Sequence, residues 1–98
     1  MQLIKMGVAG TMESSDIMIR IEPQDAGGLD IQLTSSVMQQ FGKQIEKVIR
    51  DTAAELGVTN AAIVAVDKGA LDCTVRARTM AAVYRAAAST AYVWGTKS

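Results

Sequence analysis

The sequence predicts an α+β fold: a two-layer β-β-α-β-α sandwich in which a small sheet carries two helices packed on one face. Three observations predict it. Residues 17–21 and 29–33 alternate apolar and polar side chains with period two, the mark of strands with one covered face. Residues 36–56 repeat apolar side chains at spacings of three and four, and residues 70–88 are rich in alanine with arginines interspersed, so both stretches read as helices. Between them Ala61, Ala62, Ile63, Val64, Ala65 and Val66 form a short unbroken apolar run, a strand covered on much of its surface. A sheet and two helices bury their apolar faces most simply as two layers.

Ahead of this set, residues 3–8 are mostly apolar and predict a short edge strand, and residues 9–15, small and polar, predict an exposed loop. In the first alternating strand Ile17, Ile19 and Ile21 face the core against Met18, Arg20 and Glu22, and Pro23 ends it because its ring removes a ladder donor. After a Gly-containing loop, Leu29, Ile31 and Leu33 alternate with Asp30, Gln32 and Thr34. Two such strands joined so closely predict an antiparallel hairpin with both apolar rows on one face. Ser36 with Gln39 fits a capping box for the long helix. Its core stripe is Val37, Phe41, Ile45, Val48, Ile49 and Leu56, so Phe41→Ala is expected to cost about 3–5 kcal/mol. Gly57 stands where a left-handed residue closes a helix. Lys68-Gly69 predicts a turn, and Asp72 with Arg76 a surface pair at i, i+4. Residues 89–98 lack a helical pattern and read as a loose or docking tail carrying Tyr92, Val93 and Trp94.

The 98 residues are enough for one domain, 1–98, with one modest core. A 49% hydrophobic and 20% charged composition suits a globular chain and not a disordered one. Ten basic residues offset ten acidic ones, and this balance argues against a nucleic-acid partner, which calls for excess positive charge. No apolar run approaches the roughly 20 residues that span a bilayer, and the first residues are too short and broken for a secretory signal. One cysteine cannot form an internal disulfide, so the expected location is the cytoplasm. With no histidine, the commonest general base near neutral pH is missing, and histidine triads and the usual zinc sites are excluded. Neither a phosphate-binding P-loop nor a dinucleotide fingerprint occurs.

Three groups of residues are left to carry chemistry. Ser14-Ser15-Asp16 lies in the predicted loop, where another enzyme can modify a serine and supply the base itself; the same residues also serve as ordinary turn formers. Cys73 reads as a small buried hydrophobe of the second helix, or as a thiol activated by Arg76. Arg76, Arg78 and Arg85 suit phosphate groups or an acidic partner surface, or simply a solvated helix face.

The string Val8-Ala9-Gly10-Thr11-Met12-Glu13-Ser14-Ser15-Asp16-Ile17-Met18-Ile19-Arg20-Ile21 resembles the N-terminal motif of citrate lyase acyl carrier proteins, the gamma subunits of that complex. Val66-Asp67-Lys68-Gly69-Ala70-Leu71-Asp72-Cys73 with Arg76-Ala77-Arg78, and Ser35-Ser36-Val37 with Gln40-Phe41-Gly42, resemble the same family in register. The resemblance implies a non-catalytic carrier with a covalent phosphoribosyl-dephospho-coenzyme A, 2'-(5''-phosphoribosyl)-3'-dephospho-CoA, joined to Ser14 through a phosphodiester. Ser15 is the second candidate, since it replaces a glycine common in the family. The implied partners are the alpha and beta subunits of citrate lyase and the transferase that attaches the arm, with no nucleic acid and no membrane. A citramalate lyase carrier, an assembly subunit without a cofactor and a small enzyme using Cys73 or a carboxylate are the other expectations.

Overall fold

The structure, a computed structural model, describes residues 2–87. Its elements are β1 (Gly7–Ala9), β2 (Ile17–Pro23), β3 (Gly28–Ser35), α1 (Met38–Glu55), β4 (Asn60–Asp67) and α2 (Asp72–Ala86). The expected tail with Tyr92, Val93 and Trp94, and the last residue of the expected second helix, lie outside the described residues. The expected leading strand is present but shorter and shifted, and its loop spans residues 10–16.

The four strands form one sheet in the order β1-β2-β4-β3. β2 pairs antiparallel with β1 and β4, whereas β3 pairs parallel with β4. The hairpin expected from β2 and β3 is therefore not formed, because β4 lies between them. The physical reason is in the β4 sequence. Its unbroken apolar run suits a strand with neighbours on both edges, and the loop between β2 and β3 need only cross one strand, two spacings of about 4.8 Å.

Ile19, Ala65 and Leu33 stand side by side across the sheet, as do Ile21, Ile63 and Ile31. This odd-numbered face is covered by both helices: α2 packs on β1 and β2, and α1 on β3. Ile45, Ile49 and Ala53 of α1 and Val75, Val83 and Ala86 of α2 complete the core. Buried Thr52 and Thr79 are satisfied by the carbonyls four residues back, at 2.6 and 2.8 Å. β1 is drawn close to α2 by Gly7, where an added Cβ would overlap the Ala82 carbonyl oxygen and lie 2.6 Å from the Ala86 nitrogen. Both are backbone atoms that cannot step aside. Gly7→Ala is expected to destabilise the protein by about 3 kcal/mol. A urea midpoint that moves by the equivalent of less than about 1 kcal/mol would show that β1 does not seat on α2 in this way.

The helix ends correct two further expectations. The Ser36–Gln39 capping box is absent: Val37 is the N-cap of α1, with no side-chain cap. Ser35 instead accepts the Val37 N–H at 3.0 Å and donates to Asp67 at 2.8 Å, so the start of α1 is fixed from the sheet. Phe41 is 52% exposed at the first turns of α1, and so its expected core cost does not apply. The C-terminus matches expectation. Gly57, at φ 75°, follows C-cap Leu56, and the N–H groups of Gly57 and Val58 bond the carbonyls of Ala54 and Ala53, a Schellman closure.

Candidate functional site

β1 ends, β2 begins, β3 and β4 end, and both helices begin at one edge of the sheet. The loop of residues 10–16 protrudes there. Its conformation follows from a few polar contacts. The Asp16 N–H donates to the Glu13 carbonyl at 3.1 Å, closing a turn with Ser14 and Ser15 at its centre. Ser15, the third residue of this turn, sits at φ 68°, in the left-handed region that favours glycine. The Ser15 N–H donates to the Lys68 carbonyl at 2.8 Å, and the Lys68 N–H donates to the Asp16 carbonyl at 2.9 Å, stitching the loop to the turn after β4.

Asp16 organises the rest. Its carboxylate accepts both Nε and Nη2 of Arg78 at 3.0 Å, the Thr11 hydroxyl at 2.7 Å and the Ile17 N–H at 2.7 Å. Thr11 Oγ1 in turn accepts the Glu13 N–H at 3.2 Å. The paired Arg78 guanidinium, then Thr11, hold the Asp16 carboxyl down at about 2. A carboxylate whose folded pKa is depressed contributes stability above its unfolded pKa, and loses it as pH falls through the folded value. Melting temperature should therefore show a loss between about pH 4 and pH 2 that Asp16→Asn removes. The amplitude is about 1 kcal/mol, since Arg78 is partly solvated and screened. Equal acid profiles for the two proteins would contradict the clamp.

Ser14 is exposed and its hydroxyl makes no hydrogen bond among the described residues. Nothing in the loop activates it as a nucleophile, yet the backbone around it is held from both sides. Such a serine is open to another enzyme that brings its own base. Ser15 is also exposed, but its backbone is the strained one. Ser15→Gly is expected to stabilise by about 0.5–1 kcal/mol, the left-handed cost less the chain entropy of glycine. A melting temperature raised by about 3 °C would report it, and a lowered one would mean that the Ser15 side chain holds the turn.

Asp67 anchors the facing turn. Buried to 1% exposure, it accepts the Ser35 hydroxyl at 2.8 Å and the N–H groups of Gly69 and Ala70, each at 3.0 Å. Its carbonyl accepts the Ser36 N–H at 3.2 Å. The Val66–Cys73 string thus shapes the platform on which the Ser14 loop rests.

The other candidates separate from this site in their contacts. Cys73 is exposed, not buried as expected, in the first turn of α2. Arg76 pairs with Glu55 of α1 at 2.7 and 2.9 Å rather than with Asp72, whose carboxylate accepts Gln44 at 2.8 Å. The hydrogen bonds from Arg76 lower the Glu55 carboxyl from its ordinary value. Arg85 donates to the Val8 carbonyl at 2.6 Å. Only Arg78 reaches the Ser14 loop, as the partner of Asp16. Among the described residues no group of side chains could hold a metal ion, and no helix is long and apolar enough to cross a membrane. The sequence reading missed Asp67 and the Asp16–Arg78 pair. An aspartate followed directly by Lys-Gly, a frequent turn arrangement, was the available signal for the first; the second joins residues far apart in the chain and left none.

Comparison with known proteins adds the relatives. Residues 4–86 match a family model described as acyl carrier protein: malonate decarboxylase delta subunit (MdcD). The chain is 54% identical over 94 residues to a citrate lyase acyl carrier protein of Streptococcus mutans, covering 96% of this chain and 92% of that one. It is 55% identical over 95 residues to one of Escherichia fergusonii, covering 97% and 98%. With one of Fusobacterium nucleatum it shares 56% identity over 92 residues, covering 94% and 98%. A chain in the crystal structure of a Pseudomonas malonate decarboxylase hetero-tetramer in complex with malonate has the same fold, with a TM-score of 0.69 over 83% of this chain and 82% of that one, at 24% identity.

Proposed function

The chain belongs to the citrate lyase acyl carrier protein family, and from that premise we propose that it is a cytoplasmic carrier subunit whose arm is attached at Ser14. The arm is phosphoribosyl-dephospho-coenzyme A, joined through a phosphodiester to the Ser14 hydroxyl by a dedicated transferase. Its terminal thiol carries acetyl as a thioester. Bound at Ser14, the arm would supply a thioester on which an alpha subunit would exchange acetyl for citryl, with acetate leaving, and a beta subunit would release oxaloacetate with return of the acetyl form. The carrier itself supplies attachment, reach and docking, and the thioester chemistry lies with the arm and the partner subunits.

The single observation that carries this reading is the exposed Ser14, without a base, on a loop held by the Asp16–Arg78 pair and the Lys68 carbonyl. A residue that must enter the transferase and then swing an arm between two active sites needs exposure and a fixed root; it needs no activation of its own. The backbone strain at Ser15, whose N–H is already committed to Lys68, favours Ser14 as the site.

Reconstitution tests the reading. Alpha and beta subunits mixed with the arm-bearing chain should cleave citrate, and the same subunits with the bare chain should not. Equal activity with the bare chain would leave an assembly subunit as the better description.

A further inference from the structure

The edge of the fold that presents Ser14 also carries a cleft of about 320 Å³ between the starts of the two helices. Val37, Phe41 and Ile45 line one side, and Gly69, Ala70 and Leu71 the other. Leu71 is 71% exposed and Phe41 52%, so two large apolar side chains stand at a mouth that nothing in the described chain covers. The cleft lies next to the Ser14 loop: Lys68, which accepts the Ser15 N–H, directly precedes Gly69 of its lining. From Lys68 to Leu71 the backbone spans at most about 11 Å, well within reach of a pantetheine arm rooted on Ser14. The volume falls in the range of small-molecule pockets, about 300–1,000 Å³.

Resting on the carrier reading above, we infer that the cleft is a docking site for the thioester end of the arm when it bears a small uncharged acyl group such as acetyl. The lining is apolar apart from Asp72 at the rim, whose carboxylate accepts the Gln44 amide. An acetyl thioester enters at little desolvation cost. A citryl thioester carries two carboxylates, which would have to shed water beside the Asp72 charge, and it stays outside. The cleft thus shields the resting acetyl arm from water, and exchange to citryl releases the arm toward the next active site.

The test is the rate at which hydroxylamine cleaves the thioester on the arm-bearing chain, after mass mapping has located the arm on Ser14. The amine nitrogen bonds the acyl carbon, the C–S bond breaks, and the thiol leaves with a proton as acetohydroxamate forms. Intact mass follows the loss of acetyl. An arm docked about 90% of the time is cleaved about tenfold more slowly than acetyl-coenzyme A. Leu71→Asp places a charge in the mouth. It cannot be dismissed as unfolding, because Leu71 is the uncapped N-cap of α2, with extended backbone, where aspartate is a preferred residue. This variant should bring the rate to within about twofold of acetyl-coenzyme A, and Phe41→Asp should do the same. A citryl arm should be unprotected in all three proteins. Acetyl cleaved at the free rate in the wild-type chain, or protection unchanged by Leu71→Asp, would overturn the inference while leaving the carrier reading standing. A chain that never gains an arm would overturn both.

Discussion

Ser14→Ala is expected to abolish attachment of the arm, and with it citrate cleavage by the reconstituted complex, while the protein melts within a degree or two of wild type. The Ser14 side chain is exposed and makes no hydrogen bond among the described residues, so its removal leaves no cavity and no orphaned partner. The backbone contacts that shape the loop run through Ser15, Asp16 and Lys68 and do not involve the missing hydroxyl. Ser15→Ala, by contrast, should still accept the arm. Wild-type activity of Ser14→Ala, or an arm found on its Ser15, would move the attachment site.

Asp67→Ala carries the second large effect, on stability and on the site together. One buried carboxylate satisfies two backbone N–H groups and a hydroxyl. With alanine these part-buried donors lose their acceptor, at about 1–3 kcal/mol for each that stays unsatisfied. A loss of about 3 kcal/mol, or a melting temperature lower by more than 10 °C, is expected. Because the Lys68 carbonyl holds Ser15 and the Lys68 N–H holds Asp16, arm transfer should slow even well below the melting temperature. Asp67→Asn keeps one acceptor oxygen and should fall between the two. A loss below about 1 kcal/mol for Asp67→Ala would mean that the turn after β4 holds its shape without the carboxylate.

Period-two and three-four patterns made the strand and helix types legible, because each reports one element facing one core. Strand neighbours were not legible in the same way. The rows of β2 and β3 are equally consistent with a hairpin and with flanking a third strand, and only the unbroken apolar run of β4 marked it as the central one. Phe41 shows the limit of helical periodicity: it lies on the stripe, but where α1 overhangs its cover. Cys73 shows the limit of an alanine-rich sequence, in which several faces look equally apolar. The buried row of α2 includes Val75, Thr79, Ala82, Val83 and Ala86. Two residues before Val75, Cys73 points about 200° around the helix from that row, toward solvent. At the site, resemblance to its family and the small residues around it pointed to Ser14, and the structure adds its exposure. The Asp16–Arg78 clamp depends on packing β2 against α2 and has no local signature.

The most direct test of the carrier account is the intact mass of the chain isolated from cells that hold the proposed partner subunits and transferase, followed by peptide mapping of residues 6–20. The account predicts an added mass of phosphoribosyl-dephospho-coenzyme A, located on Ser14. A chain of unmodified mass from such cells would contradict it.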